Sequence, residues 1–405
     1  MKNDSSSNQE KKAVQVEGRA KTPLEKDSAK PRKAVKTAKE FGEQKLFAMA
    51  AAGEGSSGRL TIGLDLGDRS SCWCALGSDG EVIARGEVIS ERQPLEQFFG
   101  RIPSSLVALE VGTHSPWISR LVEELGHDVV VANARRIKLI TESSRKNDDV
   151  DAELLARLAR ADRRLLSPVK HRGAEAQSDL MAVRVRAQLV ALRTQTVNAA
   201  RGLVKSFGQR LRSCDADTLN RADAGHLEEA IRGHAEMLLG VAEELTNKIH
   251  ACDRELEQIA KARYEEETAR LRQVPGVGPI TALTFVLTLD DPARFTKSRD
   301  VGAFLGLRPK SRQSGASEPE MRISKEGDGY LRTLLVQCGQ YILSRRGPET
   351  DLKRWGLGIA AKGKKKAKKR AVVAVARKLA VLLHRLWVSG EDYERLRMRS
   401  LKAAA

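Results

Sequence analysis

The chain has 405 residues, and its 71 Lys and Arg against 53 Asp and Glu give a formal charge of +18, which with a pI near 9.8 implies a polyanionic partner, nucleic acid by default. Hydrophobic residues at 41% and charged ones at 31% suit a core-forming chain of two or three domains. No apolar run approaches the ~20 residues of a membrane helix, the N-terminus carries no compact apolar stretch of a secretory signal, and five scattered cysteines make no closed disulfide framework, so a reducing, cytoplasmic setting is expected.

Residues 1–58 are rich in Lys, Ala, Ser and Glu without a sustained apolar period and read as a disordered basic arm, with a short helix around Ala34–Ala52 the one local candidate. Order is expected from Arg59. Leu60–Gly67 is a buried-strand pattern ending in glycine, and Ser71–Leu76 and Val82–Val88 follow across the turn Ser78-Asp-Gly80. Leu95–Phe99 reads as a short helix behind Pro94, Leu106–Val111 as a fourth strand, Pro116–Leu125 as an amphipathic helix and Asp128–Ala132 as a fifth strand. Three hairpin strands followed by β-α-β is the order of a ribonuclease-H-like α/β fold, a mixed sheet with helices packed on it. This domain is placed at 59–166, its last part the helix 149–166.

From Glu175 to about Arg270 the chain is almost all helix former. A break near Ser213–Asp217 divides two long apolar-periodic stretches, which predicts an antiparallel helical hairpin or coiled coil over 167–270. Its two readings are an internal helical domain and a dimerisation arm. Val274-Pro-Gly-Val-Gly-Pro-Ile-Thr-Ala282 resembles a helix-hairpin-helix, in which Gly276 and Gly278 would turn backbone N–H groups toward a phosphate; the plainer reading is a tight turn between helices. A mainly α-helical C-terminal domain is placed at 271–348. It contains Phe304–Pro309, a loop rich in Ser, Gly, Lys and Arg that carries Arg312 and Lys325, and a helix at Tyr330–Ser344. A basic segment and closing helix, Val372–Val388, occupy 349–405. The run Lys362-Gly-Lys-Lys-Lys-Ala-Lys-Lys-Arg370 lies in an acid-free stretch, 353–378. Such a run is commonly a solvated loop, but in a chain this basic Lys364, Lys365, Lys366, Lys368, Lys369 and Arg370 are expected along phosphates.

Four acids stand out by position. Asp65 lies in the first strand between Leu64 and Leu66, and Glu110 in the fourth between Leu109 and Val111, where an unpaired carboxylate is unfavourable. Asp148 and Asp151, three apart at a helix start, share a face. In a ribonuclease-H-like sheet strands one and four adjoin, so the four approach one another. Clustered carboxylates repel unless hard divalent cations neutralise them, which points to two Mg²⁺ ions, with Mn²⁺ able to substitute. Each acid taken alone has a structural reading: Asp148, or its neighbour Asp149, as a helix N-cap, and Asp68 as a cap of the turn after Gly67.

Thr61–Gly67, Ala108-Leu-Glu-Val-Gly112 and Lys146-Asn-Asp-Asp-Val-Asp-Ala152 together resemble the RuvC-like domain of the DEDD transposases of insertion sequences (family one-ten with its eleven-eleven branch, bridge-RNA-guided recombinases). Val274–Ala282, Phe304–Pro309 and Arg322–Asp328 followed by Tyr330–Leu335 are similar to that family's second domain. The resemblance covers roughly residues 60–345. It implies that Asp65, Glu110, Asp148 and Asp151 are the catalytic metal ligands. It also implies a nucleophilic serine before a glycine, matched by Ser314 in Gln313-Ser-Gly-Ala316. A structured non-coding guide RNA, DNA as element ends and target, and a homo-oligomer, dimer or tetramer, follow from the resemblance alone. The chain departs from the family's Ser-Ser/Thr-Gly-Gly, which leaves Ser311 and Ser317 as rivals to Ser314, and from its Thr-Asp, here Asn147-Asp148; the arm before residue 59 is longer than the family's.

Two other classes share parts of this pattern. A RuvC-like nuclease or Holliday-junction resolvase would use the same acids with water in place of serine. Gly63-Leu-Asp-Leu-Gly67 also resembles the first phosphate loop of sugar kinases and actin-like ATPases, whose second phosphate loop and adenosine-binding glycines have no counterpart in the helical, lysine-rich second half. Aromatic residues, at 4%, are few for reading bases by stacking.

Overall fold

A computed structural model describes residues 43–44, 46–48, 59–133, 148–310, 321–363 and 365–397. They fall into two compact units, 1–171 and 172–405. Among the described residues no helix is long and apolar enough to cross a membrane.

The first unit is mixed α/β. Its elements are β1 (Thr61–Asp65), β2 (Ser70–Leu76), β3 (Val82–Ile89), α1 (Arg92–Phe99), β4 (Leu106–Glu110), α2 (Ser115–Glu124), β5 (Asp128–Ala132) and α3 (Asp148–Ala161). The five strands form one sheet in the order β3-β2-β1-β4-β5. The β1–β2 and β2–β3 pairs are antiparallel, and β1–β4 and β4–β5 are parallel. This is the order the meander followed by β-α-β predicts.

Strand alternation assigns each residue a face. Ile62, Leu64, Trp73, Val107, Leu109 and Val131 pack with Leu95, Phe98, Phe99, Ile118 and Val122 of α1 and α2. Leu46, 1% exposed, joins this core, and Phe47 stacks 5.9 Å from Phe98. The segment read as a disordered arm, with a short helix around Ala34–Ala52 as its local candidate, therefore supplies two side chains to this core, from residues that are helical. Leu46 and Phe47 fall inside that candidate helix, but the apolar stretch Leu46–Ala52 is too short to mark a packed element.

The opposite face is built of small residues. Cys72, Cys74, Ala108 and Ala132 meet Ala152, Leu155, Ala156 and Ala159 of α3. The closest approach is at Gly63 in β1. A Cβ there would fall on the Ala152 carbonyl oxygen and within 2.7 Å of the Ala156 nitrogen. The helix backbone lies directly on the strand backbone, an approach only glycine permits.

His127, just before β5, is buried with its ring against Phe99. Its Nδ1 accepts the Ser105 N–H at 3.2 Å and its Nε2 donates to the Phe99 carbonyl at 3.1 Å. Burial holds its pKa below the usual histidine value, and the neutral tautomer satisfies both neighbours.

The second unit is helical. Its elements are α4 (Ala174–Lys205), α5 (Glu229–Arg263), α6 (Glu265–Arg272), α7 (Pro279–Leu289), α8 (Arg299–Phe304), α9 (Gly329–Leu343), α10 (Asp351–Ala361) and α11 (Lys365–Ser389). Helix α7 is buried from Thr281 to Leu289 and forms the hub of a core shared with α6, α8, α9 and α11. Helices α4 and α5 run antiparallel with a polar seam near their base. Arg186 pairs with Asp253 and Arg193 donates to Thr246. Asp179, 3% exposed, accepts from Arg263 Nε and the Tyr264 hydroxyl, each at 2.9 Å. Burial and this carboxylate push Tyr264 up to about 12. Toward the tip the seam becomes apolar, through Val197, Ala200, Val204, Ala235 and Leu239.

The closing helix starts at Lys365, earlier than the expected Val372, so the lysine run enters the helix instead of forming a loop. Lysine is a good helix former; the absence of acids at i±4 hid that propensity.

Two outcomes follow. Gly63→Ala should cost about 2–3 kcal/mol by overpacking and be visible as a lower denaturant midpoint. Because the folded pKa of His127 lies below that of the unfolded chain, the unfolded state binds the extra proton first as pH falls. Its contribution should be complete above pH ~6.5 and decline as pH drops from there through the folded value. Thermal melts should show that slope, and His127→Asn should flatten it.

Candidate active site

The first unit brings three of the four singled-out acids to one end of the sheet. The β1–β4 register runs Gly63 beside Ala108 and Leu64 beside Leu109. Asp65 and Glu110 are the next residues on these adjoining parallel strands, at their C-terminal ends. By alternation both share the face of Gly63 and Ala108, the face that α3 covers. Both are half-buried. Asp151 precedes Ala152, whose carbonyl lies against Gly63, and is itself 6% exposed. The contact that brings α3 onto β1 thus seats its first turn beside the two strand acids. Asp148 opens α3 one helical turn earlier; its side chain is outside the described residues.

All four are hard oxygen donors, the class that Mg²⁺ and Mn²⁺ take. In donor chemistry the set fits a divalent cation. Among the described residues, however, no three acid, histidine or cysteine side chains stand close enough to hold one ion.

The loop after Glu110 carries bracing that the strand pattern did not reveal. Ser115, fully buried, accepts the Gly112 N–H at 3.0 Å and bonds His171 Nε2 at 2.9 Å. The Trp117 indole donates to His114 Nδ1 at 3.2 Å, and His114 Nε2 lies 3.4 Å from Asp68. Asp68 follows β1 as His114 follows β4, so this pair ties together the two loops that flank the acids. The available signal was the polar cluster Gly112-Thr-His-Ser-Pro-Trp117 directly behind a strand acid.

In the second unit Ser314, its rivals Ser311 and Ser317, and Arg312 lie outside the described residues. The base of their loop is described. Pro309 and Ile323 form an antiparallel bridge, Lys310 N–H donates to Arg322 O at 3.0 Å, and Ser324 N–H to Arg308 O at 2.9 Å. Below the bridge Arg332 donates to the carbonyls of Leu305 and Glu326, both at 2.9 Å. Gly327 has φ +74°, and a Cβ there would strike the Phe304 carbonyl. Asp328 caps α9 by accepting the Leu331 N–H at 2.7 Å and pairs with Arg184. Lys325, exposed, sits in this knot at φ +59°. Both ends of the loop are therefore clamped to one helix.

Gly276 and Gly278 occupy the turn between α6 and α7. Gly276, at φ +89°, faces inward: a Cβ there would come within 2.8 Å of the Tyr341 ring. Its freedom serves packing. Gly278, at the N-cap of α7, opens to free space. Lys366, Lys368, Lys369 and Arg370 are exposed on the first turns of α11. Lys364 lies outside the described residues, as does the side chain of Lys365.

Two family models match the chain. Residues 62–208 match a transposase family, the DEDD transposases of IS110 type, and residues 268–353 match the transposase IS116/IS110/IS902 family. The chain is 31% identical over 310 residues to a Sinorhizobium fredii protein named "Putative transposase y4pF/y4sB", covering 75% of this chain and 78% of that one. It is 30% identical over 289 residues to the transposase for insertion sequence element IS1328 of Yersinia enterocolitica, covering 70% and 84%. It is 29% identical over 349 residues to the transposase for insertion sequence element IS1111A of Coxiella burnetii, covering 82% and 90%. The sheet-end acids lie within the first matched stretch and the clamped loop within the second, and the chain belongs to the IS110 family of DEDD transposases of insertion sequences.

Proposed function

We propose that this transposase is an RNA-guided DNA recombinase that cuts and rejoins strands through a serine–DNA linkage. The observation that carries the reading is the meeting of Asp65, Glu110 and the first turn of α3 at one sheet end. Asp65, Glu110, Asp148 and Asp151 would hold divalent cations, Mg²⁺ by preference. When bound, these cations would offset the carboxylate charge and stabilise the attacking and leaving oxygens of a phosphodiester.

Ser314 is the proposed nucleophile. Its Oγ forms a bond to phosphorus as the bond from phosphorus to a sugar oxygen breaks. The serine proton leaves to a base, and the departing sugar oxygen takes up a proton. The phosphoserine ester conserves the bond energy for rejoining. Serine is weakly nucleophilic at neutral pH and depends on such activation. The clamped loop base supports this role, because it limits how far the serine can stray. The exposed lysines of α11 and Gly278 support binding of nucleic-acid backbone. Exposed apolar residues on the helical pair, Val185 and Leu192 on α4 with Met237 and Val241 on α5, support assembly of several copies through this segment. A guide RNA rests on the family resemblance.

A covalent protein–DNA adduct, trapped in denaturant with element-end DNA and Mg²⁺, tests the reading. Ser314→Ala should abolish the adduct and Asp65→Ala or Asp151→Ala should reduce cleavage by at least about 100-fold, the scale of losing a reacting group. Cleavage that persists without any adduct in the wild type would assign a water-using nuclease instead. An adduct that survives Ser314→Ala would move the nucleophile to another serine.

A further inference from the structure

We propose that the α10–α11 hairpin is a binding site for single-stranded DNA, with the ring of Trp355 stacking on an unpaired base. The inference rests on the DNA-handling reading above and extends it to an element that lies almost wholly beyond residues 268–353 of the second family match.

The first observation is charge. Residues 352–390 contain twelve Lys and Arg and no Asp or Glu. Among the described residues, Arg354 and Arg385 pair with Glu349 and Glu391, which lie outside this stretch. Among the described residues no carboxylate pairs with Lys362, Lys366, Lys368, Lys369 or Lys378. Three of these lysines sit in the first turns of α11, where the helix dipole is also positive. Folding gains nothing from that placement, whereas a phosphate chain lying across it neutralises both.

The second observation is the aromatic. Trp73, Trp117 and Trp387 belong to the two cores. Trp355 is 39% exposed, on the hairpin itself. Its neighbour Gly356 is buried against Val375 and Leu343, which fixes the helix that carries it. The Lys378 ammonium lies 4.3 Å from the ring centroid. One ring face is thus held by a cation, and the remainder of the ring is exposed. A base on the ring would have its flanking phosphates within reach of this charge.

The choice of strand follows from chemistry. In a duplex each base face is already covered by its neighbours, so only an unpaired base can stack on a side chain. Residues 352–390 contain no Asn, Gln, Asp or Glu. No side-chain carboxylate or amide there can accept a hydrogen bond from a ribose 2′-hydroxyl, a group by which proteins select RNA. A transposase exposes such strands whenever it opens DNA.

Fluorescence anisotropy with the full-length protein tests this, using one sequence as single-stranded DNA, as duplex DNA and as RNA. Trp355→Ala should weaken single-stranded DNA binding by about ten-fold, the scale of one lost stacking contact, while duplex binding stays within about two-fold. Trp355→Phe should retain most of the single-strand affinity and thereby exclude misfolding as the cause. Lys366→Ala/Lys369→Ala should weaken both DNA forms and flatten their salt dependence. Equal losses for single strand and duplex in Trp355→Ala, no loss in either, or a larger loss for RNA than for single-stranded DNA in that variant would overturn the proposal. If the lysine variant binds every nucleic acid as the wild type does, the underlying reading of the basic hairpin falls too. If only Trp355→Ala is silent, stacking alone is refuted.

Discussion

The contact between Gly63 and the backbone of α3 governs the first unit. Helices on sheets normally stand off by the length of interdigitated side chains. Here one strand residue has no side chain, and the helix meets it with Ala152 and Ala156. The helix comes down onto the strand, and its first turn arrives level with the strand ends. Asp65 and Glu110, each one residue beyond the last β1–β4 pair, then share this end of the sheet with Asp151 of the helix's first turn. Packing, which gains from burial of small apolar surface, also brings like charges together.

The second unit solves a different problem, that of holding together the two limbs at the base of a long polar loop. Gly327 lets the returning chain cross the Phe304 carbonyl, and one guanidinium, Arg332, satisfies carbonyls from both limbs. The same α9 that supplies Arg332 is capped by Asp328, so loop base and helix end are one construction. Unpaired carbonyls at such a crossing would each cost free energy comparable to a lost hydrogen bond. A single side chain replaces them economically and fixes the direction in which the loop departs.

Much of the sheet was legible because alternation and turn residues are local signals. Asp65 and Glu110 were conspicuous because a carboxylate among Leu and Val has no reason to be there on packing grounds. The burial of Leu46 and Phe47 was hidden, since one short candidate helix shows no partner and Phe98 lies about fifty residues away. The helical lysine run was misjudged as loop because charge density suggests solvation while helix propensity, which for lysine is high, acts quietly. The brace of Ser115 and His171 could not be read at all: its members are remote in sequence and neither is unusual alone. The loop glycines Gly276 and Gly278 looked equivalent, and only tertiary contact with Tyr341 separates a packing role from an open one.

The polar seam between α4 and α5 has a consequence for length. Asp179, Arg186 and Arg193 recur every seven residues, as do Thr246 and Asp253 on the partner helix. Apolar seams can slide by a heptad with little change in contact. This one cannot. Sliding one way would set Asp179 against Asp253, two carboxylates in a site that now holds each beside arginine. Sliding the other way would leave Arg186 facing Ala260, a part-buried charge without its carboxylate. The 32 residues of α4 extend roughly 48 Å at 1.5 Å per residue. With its register locked at one end, the pair is a gauge of fixed reach, so whatever its tip engages is held at a set distance from the core of the second unit.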